Sequence, residues 1–135
     1  MQRRRFSLLL VAALLLPFTV SAQEEEAAPN KTAYVELKPS FVGTIGTGPR
    51  IQYLKADVAL RTEDPAAVSR IEYHDPLIRN ALVMLFARQT VDELSSMEGK
   101  EALRATALET VQAVLQEEEG EPLVDDLLFT NLIVQ

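Results

Sequence analysis

His74 lies between Glu72 and Asp75, and it is the chain's one imidazole. Flanking acids could tune such a ring for proton transfer or help it hold a metal ion. A metal site needs further ligands at compatible spacing, and none follows. The plainer reading is a linker histidine hydrogen-bonded to a neighbouring acid or to water. Ser95 and Ser96 are the hydroxyls a small hydrolase would need beside His74. No G-x-S-x-G elbow surrounds them, and both stand where serines cap helices. Gly43-x-x-Gly46-x-Gly48 suggests a phosphate cradle, but the spacing fits neither glycine fingerprint, no Lys-Ser/Thr follows, and a strand rather than a helix comes next. It reads as a turn. Asn30-Lys31-Thr32 matches the glycosylation sequon, a match too short to carry weight. Cysteine is absent, so there is no disulfide framework, thiolate metal site or cysteine nucleophile. No residue is assigned to catalysis, to a cofactor or to a metal.

The elements that could position a site are those of one small domain. The formal charge is −7, and it becomes −10 once the three arginines at positions 3–5 are set aside. A chain this acidic repels nucleic-acid backbones and anionic lipid. Arg3-Arg4-Arg5, the apolar stretch Phe6 to Leu16, Pro17 and then Val20-Ser21-Ala22 follow the layout of a secretory signal peptide, with cleavage between Ala22 and Gln23. The alternative is retention as a short membrane anchor, since the seventeen residues from Phe6 to Ala22 sit at the lower edge of a span. In both cases the remainder is exported. The predicted organisation is therefore 1–22 leader or anchor, 23–32 flexible acidic linker, and 33–135 folded domain.

The organising segment is Asp75 to Gln89. Ala81 to Ala87 is seven apolar residues without a break, and Leu77 and Ile78 extend them. Asp75-Pro76 predicts a capped helix start, and a helix apolar over most of its circumference predicts cover on more than one side. Before it, Val35, Leu37, Phe41 and Ile45 share one parity, and so do Leu54, Ala56, Val58 and Leu60. These are two half-buried strands joined by the Gly46-Thr47-Gly48-Pro49 turn, and Pro39 places the first at a sheet edge or a bulge. Asp64-Pro65 opens a short helix with Ala67, Val68 and Ile71 on one face. After the central helix comes a helical turn at Thr90 to Leu94. Ser95-x-x-Glu98 reads as a capping box opening a helix to about Gln116, striped with Leu103, Ala107, Val111 and Val114. Glu117-Glu118-Glu119 opposes the helix dipole and is expected to fray, with Gly120 as C′. Leu127 to Gln135 carries no charge and is apolar on both parities. It predicts a strand central in the sheet or covered on both sides. The fold class is α+β: a hairpin plus a C-terminal strand, packed by two to three helices.

This order of segments resembles the FliL family, the flagellar basal-body-associated proteins. The resemblance covers about Ala33 to Gln135. It is carried by Tyr34-Val35-Glu36-Leu37-Lys38-Pro39-Ser40-Phe41, Tyr53-Leu54-Lys55-Ala56-Asp57-Val58-Ala59-Leu60, Ile78-Arg79-Asn80-Ala81-Leu82, Glu98-Gly99-Lys100-Glu101-Ala102-Leu103-Arg104 and Leu128-Phe129-Thr130-Asn131-Leu132-Ile133-Val134-Gln135. It implies a stomatin/SPFH-like domain outside the cytoplasm and a non-enzymatic role beside the flagellar motor. There such domains form a homo-oligomeric ring around the stator and support rotation, swimming and swarming motility and chemotaxis. Family members typically carry a full transmembrane helix and a longer linker, whereas here the apolar core is short and followed by Val20-Ser21-Ala22. Membrane contact is therefore expected only through the N-terminal segment, if it stays uncleaved. The alternative is a soluble periplasmic binding or scaffold protein of another envelope complex. Arg79, Arg88 and Arg104 are the expected subunit or partner contacts, because the few basic groups of an acidic domain are natural complements across an interface.

Overall fold

The computed structural model describes residues 31–135. The expected leader and its Ala22–Gln23 cleavage point lie outside the described residues, as does most of the linker.

Alternation with period two builds the sheet. β1 (Ala33–Ile45) and β2 (Gln52–Thr62) pair antiparallel from Ala33↔Thr62 to Ile45↔Gln52. Val35, Leu37, Phe41 and Ile45 on one strand, and Leu54, Ala56, Val58 and Leu60 on the other, are all buried. The register shifts between Leu37 and Phe41, where Lys38-Pro39-Ser40 interrupts the ladder. Pro39 has no N–H to donate, and β1 is an outer strand of the order β1-β2-β3. β3 (Asp126–Val134) pairs antiparallel with β2, from Arg61↔Asp126 to Leu54↔Val134. The tail strand therefore joins the sheet, but as its second edge and not its centre. Nor is it covered on both faces: Leu127 is fully buried under the helices, whereas Ile133 on the opposite face is 41% exposed.

Asp64 accepts the Ala66 N–H at 3.0 Å and starts a 3-10 turn (Pro65–Ala67) that runs into α1 (Val68–Tyr73). α2 (Asp75–Ala87) follows after His74 alone. The cap expected at Asp75 is not there. His74 occupies the cap position without a side-chain bond, and its carbonyl accepts the Ile78 N–H at 3.0 Å. Asp75 sits instead in the first turn, where its charge suits the positive end of the dipole. α2 is also covered on fewer sides than its composition predicts. Ile78, Leu82, Leu85 and Phe86 are buried, but Leu77, Val83 and Met84 are 45%, 48% and 56% exposed. The sheet and the long helix α4 (Met97–Glu119) flank one side of α2, and nothing among the described residues lies over the other.

Between α2 and α4, α3 (Val91–Leu94) is closed by a reciprocal box: Thr90 Oγ1 accepts from Glu93 N, and Glu93 Oε2 accepts from Thr90 N. The box expected at Ser95 and Glu98 is displaced. Ser96 caps α4 by accepting the Gly99 N–H at 3.0 Å, while Ser95 Oγ donates back to the Asp92 carbonyl at 2.6 Å. α4 buries Leu103, Ala107, Val111 and Leu115. It does not fray at the glutamates: it stays helical to Glu119, and Gly120 at φ 75° ends it. Phe86 joins the layers, edge-on to Phe41 of β1 at 5.3 Å and tilted against Phe129 of β3 at 6.0 Å. Each such pair contributes about 0.5–1.5 kcal/mol beyond its buried area.

Candidate interaction surface

The helix-side polar groups gather in two clusters, and each fastens α4 to another element. At its N-terminal half, Arg104 Nε donates to Glu101 at 2.9 and 3.0 Å, and its Nη2 donates to the same carboxylate. Its Nη1 reaches Asp126 Oδ1 at 2.6 Å and the Leu127 carbonyl at 3.2 Å. One planar fork thus ties a helix turn to the first residues of β3. The hydrogen bond to Glu101 is the main reason the guanidinium is raised above its ordinary value and the Glu101 carboxyl lowered.

At the other end, His74 Nε2 donates to Glu119 Oε1 at 2.7 Å. Arg70 Nη1 lies 3.5 Å from Glu119 and 3.3 Å from Glu121. The His74 hydrogen bond, with Arg70 adding, holds the Glu119 carboxyl below its usual range. His74 is 7% exposed and its ring meets Tyr73 edge-on at 5.0 Å. Its acid is therefore not Glu72 or Asp75 but a residue far along the chain. The serines are elsewhere too: Ser95 and Ser96 are bonded within the α3–α4 turn, and neither bonds His74. No cluster of three metal-ligating side chains occurs among the described residues.

On the sheet's open face, Ser40 in the β1 bulge donates to Asp57 of β2. That hydroxyl is the largest cause of the lowered Asp57 carboxyl, and Asn131 of β3 adds to it. Asp57 sits where both pairings shift register. It ties β1 to β2 where the ladders are interrupted.

The three expected contact residues are thus placed differently. Arg104 is bonded within the chain. Arg88 is the exposed C-cap of α2. Arg79 lies with its Cζ 4.4 Å over the Phe41 ring, its Nε 3.8 Å from Asp75, and its Nη2 buried without a partner. Sequence reasoning missed Arg70, Glu119 and Asp57. Each acquires its partner through the fold, and no local spacing announces it. Among the described residues no helix is long and apolar enough to cross a membrane.

Comparison with known proteins agrees with the segment order. Residues 34–135 match the family model for the flagellar basal body-associated protein FliL. The flagellar protein FliL of Escherichia coli is 31% identical over 96 residues, covering 71% of this chain and 61% of that protein. FliL of Aquifex aeolicus is 22% identical over 109 residues, covering 81% and 65%, and the flagellar protein LafL of Vibrio parahaemolyticus is 24% identical over 120 residues, covering 89% and 70%. The match to the Escherichia coli relative thus spans less than two thirds of that protein's length. With the family model matching residues 34–135, about three quarters of the sequence, the chain belongs to the FliL family of flagellar basal body-associated proteins.

Proposed function

We propose that this protein is a non-enzymatic accessory of the bacterial flagellar motor. It sits outside the cytoplasm at the inner membrane and associates with stator and basal-body proteins to support rotation, swimming and swarming. The observation that carries the reading is the family match over 34–135. The chemistry is consistent with it: the imidazole is bonded to a carboxylate, and the serines are bonded in the turn that caps the long helix. A ring of copies that favours one stator state stabilises that state by mass action, and many weak contacts add through effective concentration. Deletion in a motile host should shrink soft-agar spreading and slow rotation under load, with recovery on complementation. Unchanged rotation, together with a pull-down that returns envelope proteins but no stator or basal-body component, would replace this reading with a scaffold role in another complex.

A further inference from the structure

The outer edge of β1 faces a short apolar groove. Phe41 and Ile45 form one wall, Val83, Phe86 and Ala87 the other, around about 180 Å³. β1 pairs only with β2, so the backbone groups on its other side have no strand partner among the described residues. The edge is accessible: Val42 is 70% exposed, and nothing lies within 4 Å of where a Cβ on Gly43 would stand. At the end of the groove marked by Phe41, Arg79 lies over that ring. Its side chain is 24% exposed and makes no hydrogen bond among the described residues; its approach to Asp75, at 3.8 Å, is too long for one. Its Nη2 is sealed inside the fold without a partner, whereas the exposed part of the guanidinium leaves its positive charge open to a partner at the groove end.

We propose that the β1 edge and this groove receive an extended protein segment bearing a carboxylate two residues from a large apolar side chain. The spacing follows from geometry. Arg79 and Val83 are one helical turn apart, about 6 Å along α2. Two residues of an extended strand span about 6.7 Å and point their side chains to the same face. A carboxylate on the exposed side of Arg79 therefore sets the apolar group two residues away over the groove, while the segment's backbone pairs with Val42 to Ile45 as an added strand. Charge selects the occupant: Asp75 approaches the cation only to 3.8 Å, so an acidic group at the exposed part of the guanidinium adds a closer charge-assisted contact, with the buried Nη2 out of its reach. The inference does not depend on the flagellar reading, since any envelope partner with this pattern would fit.

The test titrates the 15N-labelled full chain with acetyl-Ser-Asp-Ser-Leu-Ser-Thr-amide and with acetyl-Ser-Leu-Ser-Asp-Ser-Thr-amide, as an edge pairs with either chain direction. Amide shifts should concentrate at Val42, Thr44, Val83 and Ala87 for at least one peptide. Affinity should fall about fivefold or more when its Asp is replaced by Asn, when Asp and Leu are made adjacent, or when Arg79→Gln is used. Arg79→Lys, which keeps the charge, should retain most of the affinity, and amide dispersion of each variant reports its folding. Scattered shifts, no shifts at millimolar peptide, or equal affinity for the Asn control overturn the proposal. Concentration-dependent shifts at the same amides without peptide also overturn it, in favour of pairing between copies.

Discussion

At the scale of single residues, the fold depends on pairs that local sequence does not announce. Glu119 sits in a run of three glutamates at a helix C-terminus, where the dipole is unfavourable, and it is kept there by His74 and Arg70. Because its carboxyl is held below the ordinary value near 4.5 in the fold, the stabilisation is present above about that pH and is lost as pH falls through the lower folded value. Glu119→Gln should therefore melt below the parent at pH 7, and the gap should narrow as the pH falls below the ordinary carboxylate range; a constant gap in thermal melts would mean the carboxylate's charge is irrelevant. Gly99 is a second such residue. A Cβ there would stand 1.5 Å from the Glu93 carbonyl oxygen, with backbone on both sides of the clash. Gly99→Ala should cost about 2–3 kcal/mol in urea unfolding. The glycine was visible in the sequence but its reason was not, because the α3–α4 turn that closes on it became clear only with Ser96, rather than Ser95, as the cap.

At the scale of elements, periodicity told more about which residues are buried than about which faces are covered. The parities of β1 and β2 locate the residues that face the helices, and Pro39 marks the bulge, whereas Ala59 on the opposite parity is buried without any sign of it in the alternation. For α2 and β3 the pattern overstates the cover. An all-round apolar helix and a strand apolar on both parities ask for neighbours on two sides, and among the described residues each has them on one. That difference is measurable. Leu82→Ala, at a fully buried position, should cost about 2–5 kcal/mol, while Met84→Ala, 56% exposed two residues on, should stay within about 0.5 kcal/mol. Two-sided burial would make both costly. On β3, Ile133→Glu places a charge on an open edge directly across from Lys55; it should leave the stability within about 0.5 kcal/mol of the parent and reduce light scattering on heating.

At the scale of the whole molecule, the last strand decides whether the rest folds. β1 and β2 alone are a two-stranded hairpin, which in water is marginal at best. β3 gives β2 its second ladder, from Arg61↔Asp126 to Leu54↔Val134, and it brings Leu127 and Phe129 beneath α4 and Phe86. Arg104 then locks the start of that strand to α4 through Asp126 and the Leu127 carbonyl. Removing residues 127–135 therefore strips a ladder, a fully buried leucine and one ring of the Phe41–Phe86–Phe129 stack together. The loss of about 2–5 kcal/mol for the fully buried Leu127, with the partly buried Phe129, Leu132 and Val134 and the β2–β3 ladder lost besides, is comparable to the total stability of about 5–15 kcal/mol available to a small domain. The shortened chain should lose its cooperative thermal transition and most of its near-UV circular dichroism, whereas Arg104→Ala, which frees the strand's first residues without deleting it, should keep a single transition at lower temperature. If the shortened chain still melted cooperatively, the hairpin and helices would hold a core of their own, and β3 would be an accessory strand free to pair elsewhere.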